Sequence, residues 1–139
     1  MKRKKLTASM IALVMSVSLP MTTYAANWYL EDGSVTVNAD NSGQTVTQGG
    51  TSTPDEAPVI TQRESSVETG NTIGISTSDN ATANVTIKDI NIKSSKDAID
   101  VKGSSSANIT LEGNNKIFSE TGSALHVSDG NVTINGSGS

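Results

Sequence analysis

The chain has no cysteine, a single histidine, three prolines and only 3% aromatic residues among its 139 positions. Without cysteine there is no disulfide staple, no thiolate metal site, no cysteine nucleophile and no lipid-modified cysteine at a processed N-terminus. Hydrophobic residues make up 34%, and part of them sit in one N-terminal block. The remainder suffices for at most one small or incomplete core. Positive charge is also scarce. Lys2, Arg3, Lys4 and Lys5 are four of the ten cations, so six remain downstream against all fourteen acids, a net −8. That balance disfavours nucleic acid and anionic lipid as partners.

What is present begins with a leader. After the four cations, Leu6 to Leu19 is uncharged and carries Met10, Ile11, Leu13, Val14, Met15 and Val17, followed by Pro20 and Thr23-Tyr24-Ala25-Ala26. Basic, apolar and small-residue regions in that order form a secretory signal peptide. The run is shorter than the roughly 18 to 20 residues that span a bilayer and is diluted by Ser9, Ser16 and Ser18. Cleavage after Ala25 puts Thr23 and Ala25 at the small-residue positions. Residues 1–25 are therefore expected as a signal peptide, the product as secreted or cell-surface associated, with no membrane span after cleavage.

Residues 26–48 read as a β cap segment. Its strands are Ser34-Val35-Thr36-Val37-Asn38 and Gln44-Thr45-Val46-Thr47-Gln48, joined by the turn residues Asp40-Asn41-Ser42-Gly43. Residues 49–70 shift to Gly, Ser, Thr, Pro and acids, and read as a loop or linker interrupted by one short strand at Val59-Ile60. From residue 71 to 139 the chain repeats. Asn84-Val85-Thr86-Ile87 recurs as Asn108-Ile109-Thr110-Leu111 and Asn131-Val132-Thr133-Ile134, at separations of 24 and 23 residues. Thr72-Ile73-Gly74-Ile75, Ala98-Ile99-Asp100-Val101 and Ala124-Leu125-His126-Val127 recur every 26.

Three short strands per repeat, with polar corners such as Ser94-Ser95-Lys96-Asp97 and Gly113-Asn114-Asn115, predict an all-β fold: a short parallel β-helix of about two to three coils with an N-terminal β cap. The general rule for parallel crossovers makes it right-handed. A small antiparallel sandwich and an unordered Thr/Asn-rich stretch are the competing readings. Strand alternation points Val85, Ile87, Ile90, Ile92, Ile99, Val101, Ile109, Leu111, Ile117, Leu125, Val127, Val132 and Ile134 inward, as like-on-like stacks. Asn84, Asn108 and Asn131 fall at equivalent corners, where stacked amides can hydrogen-bond along the axis.

Candidate chemistry is sparse, and no catalytic residue, metal ligand or cofactor is assigned. Asp97 and Asp100 flank one strand, but the base or converging carboxylates of a lyase are missing, and Arg63 is the single arginine beyond the leader. His126 is expected to point outward, one coil from Asp100 at the same position; a cross-strand surface contact is the ordinary reading of such a pair. Outward Thr86, Thr110 and Thr133, with Asn84, Asn108 and Asn131 two positions earlier, make a regular polar ladder. These six residues, with Asp100 and His126, are the ligand-binding candidates. The exported aromatics, Trp28, Tyr29 and Phe118, can serve packing as readily as recognition.

The signal peptide, the opening Asn27-Trp28-Tyr29-Leu30-Glu31-Asp32-Gly33, the Gln44-Thr45-Val46-Thr47-Gln48 and Pro58-Val59-Ile60-Thr61-Gln62 elements, and repeats such as Ala107-Asn108-Ile109-Thr110-Leu111-Glu112-Gly113 together resemble the N-terminal part of large secreted β-helix proteins of gut-type Gram-positive bacteria, the carbohydrate-binding-domain-containing kind. The resemblance implies a non-catalytic surface or adhesin-type module whose partner is a glycan or another cell-surface polymer. The alternatives are the remnant of a β-helix polysaccharide lyase or hydrolase, and a structural spacer or fragment without independent function. Relatives of this kind run through many more coils, whereas this chain stops at Gly136-Ser137-Gly138-Ser139. A truncated solenoid is therefore expected, with end-to-end self-association through an uncapped end.

Overall fold

The computed structural model describes residues 25–139, so the expected signal peptide, apart from Ala25, lies outside the described residues. The chain opens with β1 (Asn27–Tyr29), a 3-10 turn at Leu30–Asp32 and β2 (Val35–Asp40). A detour through β3 (Gly43–Gln48) and β4 (Thr51–Pro54) precedes β5 (Val59–Thr61) and β6 (Ile73–Thr77). Two fuller turns follow: β7 (Thr82–Lys88), β8 (Asn91–Ser94) and β9 (Ile99–Gly103), then β10 (Ser106–Glu112), β11 (Lys116–Ser119) and β12 (Leu125–Val127). The last strand is β13 (Asn131–Gly136).

These strands stack as a parallel β-solenoid of roughly three turns. One wall is a five-stranded parallel sheet in the order β1-β5-β7-β10-β13. The second is the pair β8–β11, prolonged by a parallel bridge between Thr69 and Ile92. The third runs β12-β9-β6-β2, then turns antiparallel through β3 and β4. No helix among the described residues is long and apolar enough to cross a membrane.

The inner stacks follow from strand alternation. Val35, Ile73, Ile99 and Leu125 form one file, and Val37, Ile75, Val101 and Val127 the next. In the five-stranded wall Val85, Ile109 and Ile134 are in register. Burial holds until the last coil: Ile75 is 0% exposed, Val101 2% and Val127 41%, while Ile109 is 2% and Ile134 50% exposed. Val127 and Ile134 were expected inside. They face inward along their files, but a side chain here is covered by the rungs on both sides, and no described coil lies beyond them.

The N-terminal segment caps the other end. Leu30 and Val46 are fully buried with the first core residues, and glutamine amides complete the backbone pairing there. Gln44, 2% exposed, accepts the Asn84 backbone N–H at 2.8 Å and donates to the Asn84 carbonyl at 3.0 Å and the Asp55 carbonyl at 2.9 Å. Its side chain thus does for β7 what the short β5, which reaches only Thr86 to Lys88, leaves undone. Gln48 donates to the carbonyls of Tyr29 and Gly33, both at 2.8 Å. The stretch 49–70 carries two strands rather than one. All four residues of β4 are exposed, and the strand forms through its ladder with β3. At the corners, Gly113 (φ +66°) lies so close to Asp89 that a Cβ would meet its carboxylate oxygen at 2.0 Å.

Candidate functional site

The candidate residues divide between two outward faces. On the five-stranded wall, Asn84 and Asn108 are paired rungs of β7 and β10, and the Asn108 side-chain amide donates to the Asn84 Oδ1 at 3.1 Å. They stand mid-strand on the outer surface, not at corners. Thr86 and Thr110 form the adjacent file.

The third copy of the motif is out of step. Asn131 pairs with Ser106, Thr133 stands beyond Asn108, and Asn135 stands beyond Thr110. A slip of two residues preserves strand alternation, so Val132 still lies over Ala107 and Ile134 over Ile109 while the outward residues change file. The ladder therefore reads Asn-Asn-Thr beside Thr-Thr-Asn, with Val59 and Asn27 continuing the second file toward β1.

A third file, Tyr29, Thr61, Lys88 and Glu112, completes this face. Lys88 and Glu112 are 3.7 Å apart, both about half exposed. A depression of about 430 Å³ opens here, lined by Asn27, Tyr29, Val59, Thr61, Gln62, Arg63, Lys88 and Glu112. The Arg63 guanidinium lies 4.0 Å from the Tyr29 ring centroid and is gripped by both Asp32 oxygens at 2.9 and 2.7 Å. The hydrogen bond holds the Asp32 carboxyl below its ordinary range and raises the Arg63 pKa. Tyr29 and Arg63 were not among the site candidates. Alternation about an inward Trp28 is the signal that could have found Tyr29, and the approach of Arg63 is a long-range contact. Trp28 donates its indole N–H to Asp55 at 2.8 Å and packs against the core.

No family model matches the chain, nor does any curated protein or solved structure. The functional reading therefore rests on geometry and on the pattern of the sequence.

The second face belongs to the wall of β6, β9 and β12. His126 pairs in register with Asp100, as the 26-residue repeat requires, and its Nδ1 lies 2.9 Å from Asp100 Oδ1. Asp97, just before β9, approaches the same nitrogen at 3.6 Å. The hydrogen bond to Asp100 raises the His126 pKa; desolvation opposes the rise, and the charges of Asp97 and Asp100 add to it. Gly74 follows Asp100 along the file. With no side chain there, a depression of about 280 Å³ remains beside Asp97 and Asp100, bordered also by Ser34, Thr36 and Thr72.

The last described coil is a third feature. Ile99, Ile109, Leu111, Ile117, Ala124, Leu125 and Ile134 line a wholly apolar hollow of about 110 Å³.

Proposed function

We propose that this protein is a non-catalytic extracellular module that binds carbohydrate along the outer face of the five-stranded wall. The observation that carries the reading is the sharing of one face by Asn84, Asn108, Thr86 and Thr110, directly beside the depression holding Tyr29 and Arg63. Amide and hydroxyl groups repeat at the rung spacing of about 4.8 Å, which suits the recurring hydroxyls of a polymer. Tyr29 adds an aromatic ring and Lys88–Glu112 a charged pair at the edge. Each contact is weak, so affinity arises from many rungs engaging one chain. The leader pattern supports secretion, and the resemblance to surface proteins of the carbohydrate-binding kind supports the class of ligand.

The test is retention on immobilised polysaccharides and mucin. Retention that falls on Tyr29→Ala and on the double substitution Thr86→Ala with Thr110→Ala, yet survives substitution of Asp97, Asp100 and His126, supports the reading. The polysaccharide-cleaving alternative takes its support from the Asp97, Asp100 and His126 cluster, and requires turnover that these last substitutions abolish. A spacer gives no retention at all. The apolar end supports one further proposal, that two copies of the chain associate through their last coils.

A further inference from the structure

Three metal-ligating side chains from two successive coils meet on the wall of β6, β9 and β12. Asp97 stands at the corner before β9, Asp100 within it and His126 in β12, and one donor atom from each lies within 4.8 Å of the others. Nδ1 of His126 is 2.9 Å from Asp100 Oδ1 and 3.6 Å from Asp97 Oδ2. We infer that Asp97, Asp100 and His126 form a binding site for a borderline transition-metal ion, for which Zn²⁺ is the representative ligand.

The geometry carries the inference. Bonds of about 2.0 to 2.2 Å from imidazole nitrogen and carboxylate oxygen place neighbouring donors on one ion roughly 3 to 3.5 Å apart. The two distances at Nδ1 bracket that spacing, so an ion needs only small side-chain adjustments to replace the present His–Asp contact. The donors are also held from outside. The other oxygen of Asp97 accepts the Ser123 backbone N–H at 2.7 Å, which turns Oδ2 toward His126. Asp100 and His126 are fixed opposite one another by the β9–β12 ladder.

The donor set decides the class of ion. Ca²⁺ and Mg²⁺ seek oxygen-only coordination with more ligands than are gathered here, whereas one imidazole with two carboxylates suits Zn²⁺, Co²⁺, Ni²⁺ or Cu²⁺. Three protein donors leave coordination positions open. The depression above Gly74 lies beside them, so water or an oxygen-bearing ligand can complete the sphere.

Calorimetric titration of the metal-stripped chain with ZnCl₂ tests the site. The expected result is saturable binding of one ion per chain, with affinity reduced at least about tenfold in His126→Gln and in Asp97→Asn and far-UV circular dichroism unchanged. Asp97→Asn keeps the oxygen that accepts from Ser123, so it guards against loss of the corner. Co²⁺ gives a second readout, a visible absorption band of low-coordinate cobalt that His126→Gln removes. CaCl₂ at the same concentration neither releases heat nor displaces Zn²⁺. Absence of saturable Zn²⁺ binding up to about 1 mM, or binding unchanged in both variants, overturns the inference, and so does equal binding of Ca²⁺.

Discussion

Replacing Gln44 by leucine keeps the volume of a buried side chain while removing three hydrogen bonds that close the N-terminal edge of the solenoid. The Asp55 carbonyl loses its partner in a buried setting, at a cost of about 1 to 3 kcal/mol. The Asn84 N–H and carbonyl are only partly buried, so water recovers some of their loss. Allowing about half that penalty for each, Gln44→Leu should cost roughly 2 to 6 kcal/mol in all, a large share of the about 5 to 15 kcal/mol that holds a small domain together. Urea unfolding followed by circular dichroism measures the total. Amide hydrogen exchange at Asn84 isolates the local part, which should speed at least about tenfold for each 1.4 kcal/mol lost. Gln44→Glu is the companion test: it retains an acceptor for the Asn84 N–H but, when ionised, has no donor for either carbonyl. A Gln44→Leu chain within about 0.5 kcal/mol of wild type, with Asn84 exchange unchanged, would refute the claim that this amide stands in for a missing strand.

His126 in the metal-free chain should titrate above the ordinary value of 6.5, and Asp100→Asn should bring it down, as followed by NMR of the imidazole protons. Because the folded pKa is raised, the stability this pair contributes is fully present below pH 6.5 and is lost as pH rises through the folded value; a His126 pKa at or below 6.5 contradicts the contact. Gly113→Ala forces a side chain into a positive-φ corner against Asp89 and should lower stability by about 2 to 3 kcal/mol. An unchanged urea midpoint would show that this corner relaxes freely. Sedimentation velocity should reveal concentration-dependent dimers that Ile134→Asp abolishes; monomers at all concentrations would remove the end-to-end proposal.

Much of the fold was legible because the two signals that set it are both local. Alternation in Val85-Thr86-Ile87 gave the inward residues, and the 26-residue recurrence of Ile73, Ile99 and Leu125 gave the rungs, which in turn placed His126 on Asp100. The third Asn-x-Thr copy misled because alternation has a period of two and cannot detect a slip of two, so Asn131 was set in a file occupied by Thr133. Val127 and Ile134 were expected to be buried from their own strands alone, whereas burial in a solenoid is a property of neighbouring coils. Thr51–Pro54 had no apolar signal to read, since that strand exists through its hydrogen bonds to β3. The roles of Gln44, Tyr29 and Arg63 depend on partners 31 to 40 positions away or on a ring brought beside a guanidinium by coiling. No short window carries such information.

Binding of glycan along the outer face of the five-stranded wall can be mapped from amide chemical-shift changes as neutral and acidic oligosaccharides are added to the labelled chain. Saturable shifts are expected at Asn84, Thr86, Asn108, Thr110 and Tyr29, with none of the sugars cleaved. Shifts confined to Asp97, Asp100 and His126, or the appearance of cleaved products that substitution of those residues abolishes, would contradict it, as would silence toward every sugar tried.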